Sequence, residues 1–397
     1  MEVRCALEAF VADTIKSDGP LSRTAIAKVS GLAKPTVSVI VDQLISDGLV
    51  NEVGLDPAVT GAGRPPVLLE FNAGSQYAIG VDIGVEKTLI SLADAAGREI
   101  GRVHRPTPAG EPEAVLVEIA MWVEGLIAEE RVTRSRVAAI GVCVAGVVDL
   151  DTGVCLIAPN LGWRHVPVLD ILEQQLRVEI FVHNTVQAAA VAEDVEGAGR
   201  SSGDVVLLYA GVGVGAGVLR RGRIFHGASG MAGEIGHCVV PGATERCACG
   251  KIGCVETLGS ATAVARIARR SVADGRASRL APLRDEITPL DVAAAAHAGD
   301  GLSLEILARA GETLGVAASW LVNLFDPKVL VIGGGLVGAG APLLEPFEAA
   351  IRQHSLPQMA DRITVRPWAL GADSKVRGAV LLALQRSDKY YRVVFGS

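Results

Sequence analysis

The stretch "VEIFVHNTVQAAAVAED", residues 178–194, changes period in its middle. Its first seven residues read as a β-strand, and from Thr185 onward an alanine-rich helix follows without a linker. The same alternation spreads outward from it. Upstream, "YAIGVDIG" (77–84) and "TLISLADAAG" (88–97) suggest an opening hairpin, "EPEAVLVEIAMWVEGLIAEE" (111–130) a helix and "VAAIGVCVAG" (137–146) a buried strand. Downstream, a second round runs through "DVVLLYAGVGVGAGVLRRGRIFHG" (204–227), a cysteine-rich loop, several helices from about 259 to 325, and "KVLVIGGGLVGAG" (328–340). Two α/β rounds, each opened by a glycine-containing strand turn, predict two lobes around a cleft. The stretch 271–288, "SVADGRASRLAPLRDEIT", reads as a solvated connection.

A chain of 397 residues is too long for one ordinary core and long enough for two or three domains. Half of it is apolar and 4% aromatic, which suits an α/β protein rich in tight turns. The net charge of −7 excludes a general polyanion binder, so any nucleic-acid contact must be local. "MEVRCALEAFVADTIK" lacks the basic-then-apolar order of a signal peptide. The longest uncharged runs, around 205–219 and 329–344, are shorter than a bilayer span, so a cytoplasmic protein without a membrane partner is expected.

Residues 1–75 form a separate module. "LSRTAIAKVSGLAKPTVSVIVDQLISDGLV" (21–50) gives a short helix from near Ser22, a turn at Gly31 and a second helix with Pro35 in its first turn. Val37, Ile40, Val41, Leu44 and Ile45 share one face of that helix, leaving Thr36, Ser38 and Gln43 outside it. "LVNEVGLDPAVTGAGRPPVLLEFN" (49–72) then reads as two strands joined by a Gly/Pro-rich loop, the shape of a wing. Lys34, Thr36 and Ser38 suit a recognition helix in a major groove, and Arg64, between Gly63 and Pro65, suits a narrow minor groove. A helical protein-docking module is the alternative. The module holds six Lys/Arg against nine Asp/Glu, a net of −3, so nonspecific DNA binding should be weak and specific binding should need a dimer on a two-part site.

Seven cysteines in a chain this long do not make a disulfide scaffold, and three of them fall within eight residues. "GEIGHCVVPGATERCACGKIGCVE" (233–256) places His237, Cys247, Cys249 and Cys254 within eighteen residues, the donor set of a closed, structural zinc site. Four protein ligands leave no open position, so the ion shapes a loop and does no chemistry. Cys238 competes as a ligand by proximity, while Cys5, Cys143 and Cys155 fall in apolar patterns and read as core.

Taken together, "GRPP" (63–66), "GVDIG" (80–84), "APNLGW" (158–163), "GEIGH" (233–237), "CACGKIGCVE" (247–256) and "VIGGG" (331–335) resemble the ROK family of sugar kinases and sugar-responsive repressors, in its winged-helix, xylose-repressor-like branch. The resemblance spans nearly the whole chain. It implies an α/β protein with an N-terminal winged helix-turn-helix (1–75) and a two-lobed actin-like ATPase (sugar kinase-like) fold (76–397) with a zinc-binding loop. Lobe 1 would be about 76–185 plus a C-terminal helix 374–387, and lobe 2 about 186–373. It further implies structural Zn2+, a sugar or phosphosugar effector, operator DNA, and a homodimer or homotetramer. Carried onto this sequence, the sugar hydroxyls would meet Asn160, Asn184, Glu234, His237 and Glu256, with His237 also on zinc. Each of these alone also reads as an ordinary capping or surface residue.

Three departures separate the chain from the family's kinases. The first phosphate loop is "DIGVEK" (82–87), in which Asp82 and Gly84 remain but Val85 and Glu86 replace small and hydroxyl residues. The second begins Ala210-Gly211 and so lacks its hydroxyl, although Gly211, Gly213 and, later, Gly334 persist. Such glycines also serve close strand packing. Finally, family kinases follow Asn with an aspartate, the general base for the sugar hydroxyl, and here Asn184 is followed by Thr185. Losing a positioned base typically forfeits about 10²- to 10⁴-fold in rate. The expectation is a regulator, more specifically a repressor, with no catalytic residue, vestigial nucleotide loops and a retained sugar pocket. The alternative is an active ATP-dependent sugar kinase carrying a DNA-binding module.

Overall fold

The computed structural model describes residues 2–57, 65–200 and 202–386. Arg64, expected at the wing tip, lies outside the described residues. The N-terminal module consists of α1 (Glu2–Asp18), β1 (Leu21–Ser22), α2 (Arg23–Ser30), α3 (Lys34–Ser46), β2 (Val50–Leu55) and β3 (Val67–Phe71). Ser22 caps α2 by accepting from the Ala25 N–H at 3.3 Å, and Gly31 ends it at φ 69°. After that turn the axis changes by 118°, within the range of helix-turn-helix pairs. Val37, Ile40, Val41 and Leu44 are buried against Ile15 and Ile26, with Ile45 half-buried beside them. The strands β1, β3 and β2 form the winged sheet in that order.

The first lobe holds β4 (Tyr77–Ile83), β5 (Lys87–Asp94), β6 (Glu99–Pro106), α4 (Pro112–Glu129), β7 (Val137–Val144), a small sheet of β8 (Val147–Asp149), β9 (Val154–Ala158) and β10 (Trp163–Val166), then α5 (Val168–Leu176) and β11 (Ile180–Asn184). The chain crosses through α6 (Thr185–Val195) to β12 (Val205–Ala210), β13 (Val214–Arg220) and β14 (Arg223–Ile224). The second lobe continues with α7 (Glu256–Gly259), α8 (Ala261–Ala273), α9 (Pro289–His297), α10 (Gly301–Phe325), β15 (Val329–Gly333), α11 (Ala341–His354), α12 (Pro357–Ala360) and β16 (Thr364–Pro367), and α13 (Asp373–Arg386) returns to the first.

The main sheets run β11-β7-β4-β5-β6 and β14-β13-β12-β15-β16. Within each lobe the spatial order is therefore fifth, fourth, first, second, third strand, with the second antiparallel to the first and the fourth parallel to it. This is one sheet topology used twice. Helices α6 and α13 lie where the lobes meet: Ala188–Ala192 and Ala379, Leu381 and Leu382 share an apolar cluster with Leu207, Leu219 and Val331. Small residues set that spacing, since a Cβ on Gly378 of α13 would come within 1.9 Å of the Ala188 carbonyl oxygen. On the other side, Gly80 and Gly141 admit the backbone of α13 against β4 and β7.

Residues 271–288 are not simply a solvated connection. Leu280 and Ile287 are buried in the second lobe's core, and Arg276 pairs with Glu305 at 2.7 Å. Two isolated apolar residues carry no periodicity, which is why the sequence reads as polar there. Among the described residues, no single helix is long and apolar enough to cross a membrane.

Candidate functional site

A cavity of about 450 Å³ opens between the lobes, within the usual size of a small-molecule site. Four elements deliver its polar groups. Asn160 comes from the turn between β9 and β10, Asn184 from the end of β11, Glu234 and His237 from the loop after β14, and Glu256 from the start of α7. All five residues expected on a sugar line this one cavity. Asn184 caps α6, its Oδ1 accepting from the N–H groups of Val186 (2.8 Å) and Gln187 (3.2 Å), while its Nδ2 donates to the Gly146 carbonyl at 2.8 Å. Its amide is thereby held rigid, with one N–H left for a ligand. Glu256 Oε2 accepts from the Val214 N–H at 3.1 Å.

The glycines are needed here for packing. A Cβ on Gly213 would lie 2.6 Å from Glu256 Oε2. One on Gly334, already at φ 101°, would lie 2.2 Å from the Ala210 carbonyl. Gly84 and Gly213 line the cavity, as does Glu86, whereas Asp82, Gly211 and Gly334 do not.

At the position of the missing base, Thr185 is buried and its hydroxyl donates to Asp82 Oδ1 at 3.2 Å. The other oxygen of Asp82 pairs with Lys375 Nζ at 3.0 Å. Burial works against the Lys375 ammonium, but the attraction of Asp82 and, more weakly, of Tyr209 outweighs it and holds its pKa above the ordinary lysine value. Lys375 is a cleft residue that sequence reasoning missed. Its only signal is a basic residue in the polar first turn of a helix whose middle is apolar.

His237, Cys247, Cys249 and Cys254 bring four ligand atoms within 4.8 Å of one another. His237 Nδ1 lies 3.6 Å from Cys247 Sγ, and Cys249 Sγ lies 3.6 Å from Cys254 Sγ. A tetrahedral ion with metal–sulfur bonds near ~2.3 Å and metal–nitrogen near ~2.0 Å imposes edges of about 3.5–3.8 Å, so these residues can hold one. Burial raises the thiols of Cys247 and Cys254, the latter to about 12 with help from its neighbours, so a bound cation is what would keep all three as thiolates. The other edge of the His237 ring faces the cleft, with Nε2 3.8 Å from Glu234 Oε2. Burial pushes the Glu234 carboxyl above its ordinary range, Glu256 adding to this and His237 opposing it. Cys238 is exposed outside the cluster, and Cys143 and Cys155 are buried core.

The profile described as ROK family matches residues 78–386, most of the chain. The chain belongs to the ROK family. A second profile, described as winged helix-turn-helix DNA-binding, matches residues 13–51. The chain is 32% identical over 378 residues to a xylose repressor of Caldicellulosiruptor bescii, covering 94% of both proteins. It is also 35% identical over 318 residues to a glucokinase of Halalkalibacterium halodurans, covering 79% of this chain and 96% of the kinase. A crystal structure of a ROK family transcriptional regulator, a homologue of the E. coli MLC protein, superposes with a TM-score of 0.85 at 27% identity, covering 99% of this chain and 98% of that one.

In this ROK chain the outer face of α3 exposes Lys34 and Thr36, with Ser38 half-exposed. Arg23 donates to the Ser38 carbonyl at 3.1 Å and pairs with Asp42 at 2.8 Å. The one carboxylate on that helix face near Ser38 is thus neutralised, which eases the approach of phosphate. The helix α1, not singled out in the sequence, packs on α2, α3 and β3 and supplies the floor of this module.

Proposed function

We propose that the chain is a sugar-responsive transcriptional regulator, more specifically a repressor, whose kinase-like domain binds a sugar through Asn160, Asn184, Glu234, His237 and Glu256 and does not phosphorylate it. The observation that carries the second half is the state of Asp82. It is the carboxylate hydrogen-bonded to Thr185 at the base position, and both its oxygens are occupied, by Thr185 and by Lys375. Fully buried, absent from the cavity lining and with Lys375 standing in front of it, Asp82 is not placed to reach a sugar hydroxyl. Zinc, on His237, Cys247, Cys249 and Cys254, braces the loop that presents Glu234 and Glu256.

Sugar binding reaches the DNA module through α13. Its N-terminal end carries Lys375 in the cleft, while Val380, Ala383 and Leu384 near its other end share an apolar cluster with Val11, Ala12 and Ile15 of α1. Arg377 of α13 also pins Glu196 at 2.9 Å, and Glu196 in turn attracts Lys16 of α1. A ligand that prefers one lobe arrangement thereby biases how a dimer or tetramer presents two α3 helices to operator half-sites.

Two measurements test this reading. A coupled assay with ATP and a panel of hexoses and pentoses should give no turnover above background, while thermal-shift screening of the same panel should show stabilisation by at least one sugar. Turnover of a few per second or faster would mean an active kinase with a DNA-binding module. On operator DNA selected from a random pool, Lys34→Ala should weaken all sites alike and lower the salt slope by about one. Thr36→Ala should instead change preference at one base position, by about 1–3 kcal/mol.

A further inference from the structure

A magnesium–nucleotide does not fit the phosphate half of this cleft, and the misfit has a specific cause in the chain. Phosphoryl-transfer sites set cations between carboxylates and the phosphate oxygens. In this chain the loop carboxylate Asp82 is fully buried, with its side chain 1% exposed, and the position beside it is filled by Lys375 Nζ at 3.0 Å. We propose that the Lys375 ammonium is a built-in counter-ion that occupies the cation position against Asp82, closing the cleft to metal–nucleotide and selecting an uncharged sugar over its phosphate ester. This deepens the sugar-receptor reading above and rests on it for the identity of the ligand class.

The fold builds this pair deliberately. Asp82 is on β4 and Lys375 is in the first turns of α13, and the two elements approach closely because Gly80 presents no Cβ to the Val376 carbonyl, where one would lie at 2.5 Å. Lys375 is 17% exposed and lines the cavity, so it stands between Asp82 and anything entering. Its charge is not available to an incoming phosphate, because Asp82 already compensates it. The same cavity is lined by Glu86, Glu234 and Glu256, with Lys87 as the remaining ammonium on the wall. Three carboxylates therefore line the cavity with two ammonium groups, one of them already paired with the buried Asp82, before any anion arrives. A divalent ion in a kinase reverses that balance. Here a metal on Asp82 would have to displace the Lys375 ammonium from a buried pair.

The test uses the full chain with three probes: Mn2+ followed by its paramagnetic resonance, the magnesium complex of a non-hydrolysable ATP analogue, and matched pairs of a sugar with its phosphate ester, the last two by calorimetry. Wild type should bind neither Mn2+ in the cleft nor the nucleotide at millimolar concentration. It should bind the uncharged sugar about 100-fold more tightly than the ester, the effect of one added like-charge contact near ~6 Å at an effective dielectric of about 20. Lys375→Met should create a Mn2+ site, and Asp82→Asn in the same chain should abolish it again. The proposal is overturned if wild type takes the nucleotide, if the ester binds as tightly as the sugar, or if Lys375→Met gains no Mn2+ beyond wild type. Should Lys375→Met not fold, the wild-type arms decide by themselves. If neither sugar nor ester binds while operator DNA does, the receptor reading fails, and the Mn2+ and nucleotide arms still decide the counter-ion.

Discussion

Cys254→Ser should leave purified protein without bound zinc and without a sugar-dependent rise in melting temperature, while the two-part operator is still bound. Cys254 is fully buried, and the segment from Gly233 to Val255 contains, besides one 3-10 turn, only the isolated bridges Val239–Cys254 and Arg246–Ile252. A run of that length with so little secondary structure needs another constraint, and a structural metal on the four clustered residues would supply it. Zinc binding in small zinc domains contributes about 10–16 kcal/mol, as large as the whole stability of an ordinary domain, so losing one of four ligands should release the loop. Glu234 and His237 are on that loop and Glu256 follows its last cysteine, so the proposed sugar site should go with it. The core around Val37, Ile40, Val41 and Leu44 is shared with the first lobe and α13 but includes no residue of the cysteine loop, so the winged module is spared. Cys238→Ser is the control, exposed and outside the cluster, and should change nothing. Metal content, sugar-dependent thermal shift and operator binding separate the outcomes. A metal-free variant that still responded to sugar would remove the loop from the effector site.

Legibility from sequence follows the range of the interactions. The metal cluster reads directly because its ligands fall within eighteen residues and their chemistry excludes most other roles. The recognition helix reads because Val37, Ile40, Val41 and Leu44 recur at helical spacing after a proline and a turn glycine. The twofold use of one sheet topology reads as two α/β rounds, but the insertion β8–β10 does not, since its strands have at most five residues each. Glycines mislead in a definite way. Gly213 and Gly334 look like phosphate-loop residues, yet one makes room for Glu256 and the other for the Ala210 carbonyl. Lys375 is invisible for the opposite reason. Its meaning lies in Asp82, at the far end of the chain, and no local pattern connects them.

The residue whose change should travel furthest is Gly378. Placing alanine there sets a Cβ 1.9 Å from the carbonyl oxygen and 2.3 Å from the carbonyl carbon of Ala188. Both belong to the backbone of α6, so no side-chain rotation relieves the overlap and α13 must move off its neighbour. Overpacking of this kind costs about 1–3 kcal/mol and sometimes more, so the melting temperature should fall clearly. Gly338→Ala, where an added Cβ meets nothing within 4 Å, should melt like wild type. The larger consequence concerns regulation. Helix α13 holds Lys375 at the effector cleft and, beyond Gly378, places Ala383 and Leu384 in the same apolar cluster as Val11, Ala12 and Ile15 of the DNA-binding module. A helix lifted from α6 loses its single seating, and the two ends no longer report on each other. Coupling between ligand and operator typically spans about 5- to 150-fold in affinity, and in Gly378→Ala it should shrink towards one while each ligand still binds separately. Operator titrations with and without the sugar measure the ratio directly. A variant that melted early yet kept the full ratio would show that the signal leaves the cleft by some route other than α13.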